Sequence, residues 1–293
     1  MWVIETIRRN QQISLKELNE KWVNTELSGG MPIPRQTFDR WKAGIFDLFG
    51  VIIDCNLKAG YKYFIYNPMV LKEGELSRWL LDSFSTINSL SQSIALRDRI
   101  LVEEVPSSKE YLEEIIYAMK SNRVINLTYK GFQRDVASML PVEPYCLKLF
   151  HKRWYMLGHR INDNAMRIYA MDRMEGVQVT DSQFFLPKDF EAKTYFASFF
   201  GIVLDTSVKE ERIVLRADKD HQHYLRTLPL HHSQKEIYTS DEYSDFELYL
   251  RPTYDFCMEL LRVGSKIEVL EPQSLRYQLR SWAKGLWDIY KND

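Results

Sequence analysis

Between Tyr129 and Val177 the chain alternates cations with rings in a pattern suited to capturing anions. Pro144-Tyr145-x-Leu147-Lys148 is followed by Arg153-Trp154-Tyr155-Met156-Leu157-Gly158, then by Arg167-x-Tyr169-x-x-Asp172-Arg173. Guanidinium forks match the oxygens of a phosphate, and aromatic faces stack on bases or sugars. Arg153, Arg167 and Arg173, with Tyr129 or Tyr155, are the candidates for one anion site, and Lys148, His151 and Lys152 add charge nearby. Trp154 and Tyr155 are neighbours on a strand and so face opposite ways. One belongs to the core, and Tyr155 is expected to line the pocket. The plainer alternative makes both rings packing residues and Arg–Asp a structural bridge.

A second cationic set lies nearer the start. Arg35, Gln36, Thr37, Arg40 and Lys42 follow Pro34 on one predicted helix, and Lys58 and Lys62 fall in a predicted hairpin. Such residues at the start of a helix reach base edges or phosphates when the helix enters a major groove. On a small helical domain they are equally plain solvated cations.

Enzyme chemistry finds no comparable set, and neither a metal nor a cofactor is expected. His221-x-His223 and His231-His232 lack Cys or acidic partners at zinc spacing and read as surface-loop histidines; Asp218 and Asp220 read as loop carboxylates. A Gly-rich phosphate loop, a G-x-S-x-G elbow and an H-E-x-x-H helix are all missing from the sequence.

The elements that must carry these residues are legible from periodicity. Val3, Ile4 and Ile7 mark a first helix. Ser14-Leu15-Lys16-Glu17 has capping-box spacing, with Leu15, Leu18 and Trp22 at helical period behind it. Pro34 opens a third helix through Phe38, Trp41, Ile45 and Leu48, and Gly50 ends it. Val51–Cys55 and Tyr61–Tyr66 form a hairpin. Three helices and a two-stranded wing predict a winged helix-turn-helix over 1–68. Leu76, Leu80, Leu81, Phe84, Ile87, Leu90 and Ile94 predict a helical connector over 69–112, whose apolar excess suits packing on a neighbour or pairing in a homodimer. Five strands are expected over 113–190, at Val124–Tyr129, Val142–Phe150, Trp154–Arg160, Met166–Ala170 and Val177–Thr180. An αβ extension follows over 205–293, with strands at Glu211–Ala217, Asp245–Leu250 and Lys266–Leu270 and helices at Tyr254–Arg262 and Ser274–Tyr290.

At 293 residues two or three domains are the natural expectation. Net charge runs +2 over 1–68, −4 over 69–114, +4 over 115–190 and −3 over 191–293, compatible with two anion-binding modules. Three scattered cysteines (Cys55, Cys146, Cys257) fit a reducing cytoplasm. No apolar run is long enough to span a bilayer, and the first residues do not resemble a signal peptide.

Over Tyr129–Val177 the order and spacing of these motifs resemble the WYL domain of bacterial transcription regulators, with Met156 where the name-giving Leu usually sits, and LLRVGSKIEVLEPQSLR is similar to the family's usual ending. The resemblance implies an α+β protein: winged helix-turn-helix, helical connector, small Sm/SH3-like β-barrel (WYL) and C-terminal αβ extension. It also implies a cytoplasmic homodimeric regulator that binds duplex DNA under control of a nucleotide or single-stranded nucleic-acid effector. The alternative it leaves open is a nucleic-acid-sensing accessory of a phage-defence or DNA-damage system. One departure stands out: many WYL domains carry an Arg three residues after the position of Arg167, where this chain has Ala170.

Overall fold

The computed structural model describes residues 1–73, 79–80, 83, 86, 110–132 and 136–291. Of the expected connector positions, Leu76, Leu81, Phe84, Ile87, Leu90 and Ile94 lie outside the described residues. The chain divides into two compact units, Met1–Glu103 and Glu104–Asp293.

In the first unit, helix α1 (Trp2–Asn10) is followed by a two-residue strand β1 (Ile13–Ser14), then α2 (Leu15–Val23), α3 (Arg35–Phe49), β2 (Ile53–Asn56), β3 (Lys62–Ile65) and α4 (Val70–Glu73). The capping box forms as expected. The Glu17 amide donates to Ser14 Oγ at 3.2 Å and the Ser14 amide to Glu17 Oε2 at 2.8 Å, which satisfies two donors at the start of α2. Side chains tie down the long α2–α3 turn: Asn19 accepts from the Ile33 amide at 2.6 Å and donates to its carbonyl at 3.2 Å, and Ser28 Oγ donates to the Val23 and Thr25 carbonyls at 3.0 and 2.7 Å. Pro34 is the residue before α3 and not its first, and Gly50 closes the helix at φ 62°, a left-handed value that suits glycine. Ile4, Ile7, Leu18 and Phe38 form the fully buried centre, joined by Leu71 from the expected connector. β1 adds to the hairpin to give a three-stranded antiparallel sheet ordered β1-β3-β2.

The second unit begins with α5 (Leu112–Lys120) and five antiparallel strands, β4 (Arg123–Tyr129), β5 (Ser138–Phe150), β6 (Arg153–Arg160), β7 (Ala165–Ala170) and β8 (Met174–Gln183), in the order β7-β6-β5-β4-β8. α5 lays Ile115 and Ala118 on the face made by Ile125, Leu127, Val142 and Met156. A short helix α6 (Ala192–Phe196) leads to a second antiparallel sheet, ordered β10-β11-β9-β12, from β9 (Glu211–Asp218), β10 (Lys235–Thr239), β11 (Tyr243–Leu250) and β12 (Ile267–Glu271). Helices α7 (His221–Thr227), α8 (Tyr254–Val263) and α9 (Gln273–Tyr290) share a hydrophobic core with this sheet. Leu225, Phe256, Leu260 and Leu275 pack on its strands. The blocks expected separately at 113–190 and 205–293 thus lie in one unit.

The histidines correct an expectation. His221 and His223 sit on α7, where Asp218 caps the first turn by accepting from the His221 amide at 2.8 Å. His231 is 8 % exposed, and burial pushes its imidazole down to about 4, with the neighbouring His232 and Lys148 adding to the effect.

Candidate ligand site and nucleic-acid surface

The strand pairing brings part of the expected anion set together and separates the rest. Tyr129 on β4 lies opposite Ser138 on β5, and Arg167 on β7 opposite Gly158 on β6. Between them opens a cleft of about 320 Å³ lined by Tyr129, Ser138, Arg160, Arg167, Ile168 and Tyr169 among others. At its mouth Asp163 is shared by two guanidinium groups. Arg160 Nε donates to Oδ1 at 2.6 Å and Arg167 Nη2 to Oδ2 at 3.0 Å. These hydrogen bonds, Arg160's first, hold the Asp163 carboxyl below the ordinary carboxylate range.

Behind the cations lie two tyrosines, edge to face at 5.2 Å. Tyr129 Oη accepts from the Ala170 amide at 3.2 Å. The Tyr169 hydroxyl has no hydrogen-bond partner among the described residues, although the residue is only 3 % exposed. Burial pushes its phenol up to about 12, so it stays a neutral donor.

Arg173 faces a different cleft, of about 400 Å³, lined by Lys130, Phe132, Asp172, Arg173 and Glu175 among others. Its guanidinium lies 3.8 Å from the Phe132 ring centroid and 4.9 Å from that of Tyr129, in cation–π geometry, and its Nε donates to the Lys130 carbonyl at 3.3 Å. Arg153 is taken up by Asp172, and the pair leaves Arg153 Nε and Asp172 Oδ1 buried without hydrogen-bond partners among the described residues.

Three expected ligand residues stand elsewhere. Tyr155 is 7 % exposed and lines neither cleft. It pairs with Lys148 across the ladder and shares that residue's face, while Trp154 packs toward Met156 on the other. Lys148 donates to the Gly201 carbonyl at 2.6 Å and lies 4.0 Å over the Phe196 ring; burial pushes its amine down to about 8. His151 is exposed in the β5–β6 turn at φ 46°, its ring against Phe150. Conversely, Arg160, Ser138 and Tyr169 line the cleft without having been assigned to it from sequence. The available signal was the alternation that puts Arg167 and Tyr169 on one face of β7.

In the first unit Arg35, Gln36 and Arg40 are exposed on α3 and Thr37 is half-buried. Lys42 is engaged locally, 2.8 Å from Asp39 and over the rings of Phe38 and Tyr63. Lys58 is exposed in the β2–β3 loop and Lys62 half-buried on β3. Beside α3 runs an apolar groove of about 420 Å³ where Trp2, Trp22 and Trp41 meet edge to face. Among the described residues no His, Cys, Asp or Glu group is placed to hold a metal ion, and no helix is long and apolar enough to cross a membrane.

Residues 110–179, from just before α5 into β8, match the WYL domain family. Residues 209–287, the second sheet and its helices, match the WCX domain. Protein PafB of Mycobacterium tuberculosis and of Mycobacterium bovis is 25% identical to this chain over 87 residues, 30% of this chain and 26% of the relative. The chain therefore matches about a quarter of the length of these curated relatives. Among solved structures, proteasome accessory factor B/C (PafBC) of Arthrobacter aurescens aligns over 90% of this chain and 44% of its own, at 19% identity and a TM-score of 0.32. A CRISPR Cas-related protein aligns over 94% and 71%, at 13% identity and a TM-score of 0.40.

Proposed function

We propose that the chain is a transcription regulator that binds duplex DNA through a winged helix-turn-helix over residues 1–68 and is controlled by a nucleotide or single-stranded nucleic acid at the WYL domain. The observation that carries this is the association of a WYL and a WCX domain with an N-terminal unit ordered helix, strand, helix, helix, hairpin. In such a unit α3 is the groove-reading helix. Arg35, Gln36 and Arg40, exposed on it, supply base-edge and phosphate contacts, and Lys58 supplies a backbone contact from the wing. Asp39 and Asp47 on the same outer face limit how deeply the helix sits.

The five strands, bulged in the β4–β8 and β5–β6 ladders, suit a small Sm/SH3-like barrel. A ligand that prefers one arrangement of this sheet shifts the population of DNA-competent molecules. Leu286, Trp287, Ile289 and Tyr290, exposed at the end of α9, favour a homodimer over a lone protomer. The test is duplex binding against salt. Log affinity falls linearly with log salt when phosphates are contacted. Arg35→Ala with Arg40→Ala should weaken binding by about 1–3 kcal/mol per specific contact without moving thermal stability. A double variant that binds like the parent sinks the assignment of α3.

A further inference from the structure

Two guanidinium groups and one tyrosine border the cleft between β4, β5, β6 and β7. Arg160 and Arg167 share a single carboxylate, Asp163, which leaves one positive charge in surplus at the mouth. Tyr169, 3 % exposed, lines the same cleft, and its buried hydroxyl has no hydrogen-bond partner among the described residues. A buried polar group without a partner costs stability, and such groups in a native fold call for an occupant. A carboxylate offers two oxygens in one plane, and a phosphodiester offers two terminal oxygens with chain on both sides. A phosphomonoester offers three terminal oxygens and one substituent, which matches three donors and one open side.

We propose that this cleft binds a phosphomonoester, with Arg160, Arg167 and the Tyr169 hydroxyl each donating to a terminal oxygen, an assignment that rests on reading the WYL domain as the ligand-sensing part. The cleft volume is at the lower end of the small-molecule range, enough for one nucleotide-sized group and too small for a folded polymer. Leu140 and Ile168 supply an apolar wall for the substituent. Asp163 is the competitor. It closes the short turn between β6 and β7, so a dianion that takes both guanidinium groups releases that turn. Ligand occupancy is thereby converted into a change at one edge of the sheet.

The test titrates the full chain with adenosine 5′-monophosphate, its methyl phosphodiester, adenosine and inorganic phosphate by calorimetry. The monophosphate should bind at least about tenfold more tightly than the diester, and adenosine should not bind. Tyr169→Phe should weaken monophosphate binding roughly ten- to hundredfold, the range of a hydrogen bond to a charged group. Its melting temperature should stay at or above the parent's, because the lost hydroxyl has no partner among the described residues of the free protein. Asp163→Asn should tighten binding by removing the competitor. Equal affinity for monoester and diester, no binding of either phosphate probe, unchanged affinity in Tyr169→Phe, or a lower melting temperature in that variant each overturns the site. Duplex-DNA retention on the same preparation separates the two proposals. A chain that holds DNA but neither phosphate probe loses only this site, and one that binds the monophosphate but no DNA loses only the regulator assignment.

Discussion

Replacing Gly201 by Ala should destabilise the second unit severely, because the junction between its two sheets has no room for a methyl group. An added Cβ would overlap Asp255 Oδ2 and come within 2.6 Å of Phe150 Cζ. The carboxylate cannot retreat freely. Its Oδ2 accepts from the Ile202 and Val203 amides at 2.8 and 3.1 Å, and its Oδ1 accepts from Thr253 Oγ1 at 2.6 Å and the Phe256 amide at 3.0 Å. Overpacking alone costs about 1–3 kcal/mol. Breaking one of the charge-assisted bonds adds about 1.5–3 kcal/mol, so the expected loss is about 3–5 kcal/mol. For a unit of this size that lowers the melting temperature by about 6–20 °C. Scanning calorimetry is the assay, since the unit spanning Met1–Glu103 should keep its own transition. Asp255→Ala makes the control: it removes the obstructing oxygen, so Gly201→Ala should cost less in that background than in the parent. A single variant melting within about 2 °C of the parent, or strictly additive effects in the double variant, would refute the junction as described.

Lys148 gives a pH signature at the same junction. Its folded value, about 8, lies below the ordinary 10.5, so the folded state holds the proton less tightly than the unfolded one and stability rises with pH between those values. Relative to Lys148→Met, the parent should gain about 1–3 kcal/mol from pH 8 to 10.5 in urea titrations; parallel curves would reject the buried amine. His231 acts on the acid side. Its value is depressed from 6.5 to about 4, so its contribution is present above pH 6.5 and lost as the pH falls toward 4, by up to about 3 kcal/mol. His231→Gln should flatten that fall in the acid limb, and an unchanged slope would count against it. Ser14→Ala removes the capping box of α2 and should lower the stability of the first unit by about 1 kcal/mol, read by urea unfolding. Loss of less than about 0.3 kcal/mol would mean that water replaces the cap.

What was readable in the sequence were the elements whose periodicity is local. α1, α2 and α3 follow apolar stripes, the Ser14–Glu17 box and Gly50 set two of their ends, and the strands carrying Leu127, Met156 and Phe246 announce themselves by β-prone runs. β1 was not readable, since two residues carry no period and Ile13 is strand only because Tyr63 lies opposite it. β10 was hidden for another reason. All five of its residues are exposed, so no inward face imposes alternation. His231 looked like a loop residue and is one, yet burial in that loop depends on contacts with Ser233 and with elements far away in sequence.

The anion set shows the same division at the level of charge. A sequence reports how many cations a segment holds, and it cannot report which carboxylate each one meets. Arg153 and Arg167 look equivalent on paper, yet Asp172 takes Arg153 into a pair while Asp163 must serve both Arg160 and Arg167. Tyr155 and Tyr129 look equivalent too. Tyr155 lies beside Lys148 on the face that Phe196 and Gly201 cover, and Tyr129 sits where β4 meets an open cleft. The segment from Pro187 to Gly201 therefore decides which ring is available, and it does so through tertiary packing that no spacing rule within the motif encodes. A residue's capacity to bind follows from what remains uncompensated after folding, here one positive charge and one phenol, and that remainder is a property of the packed sheet.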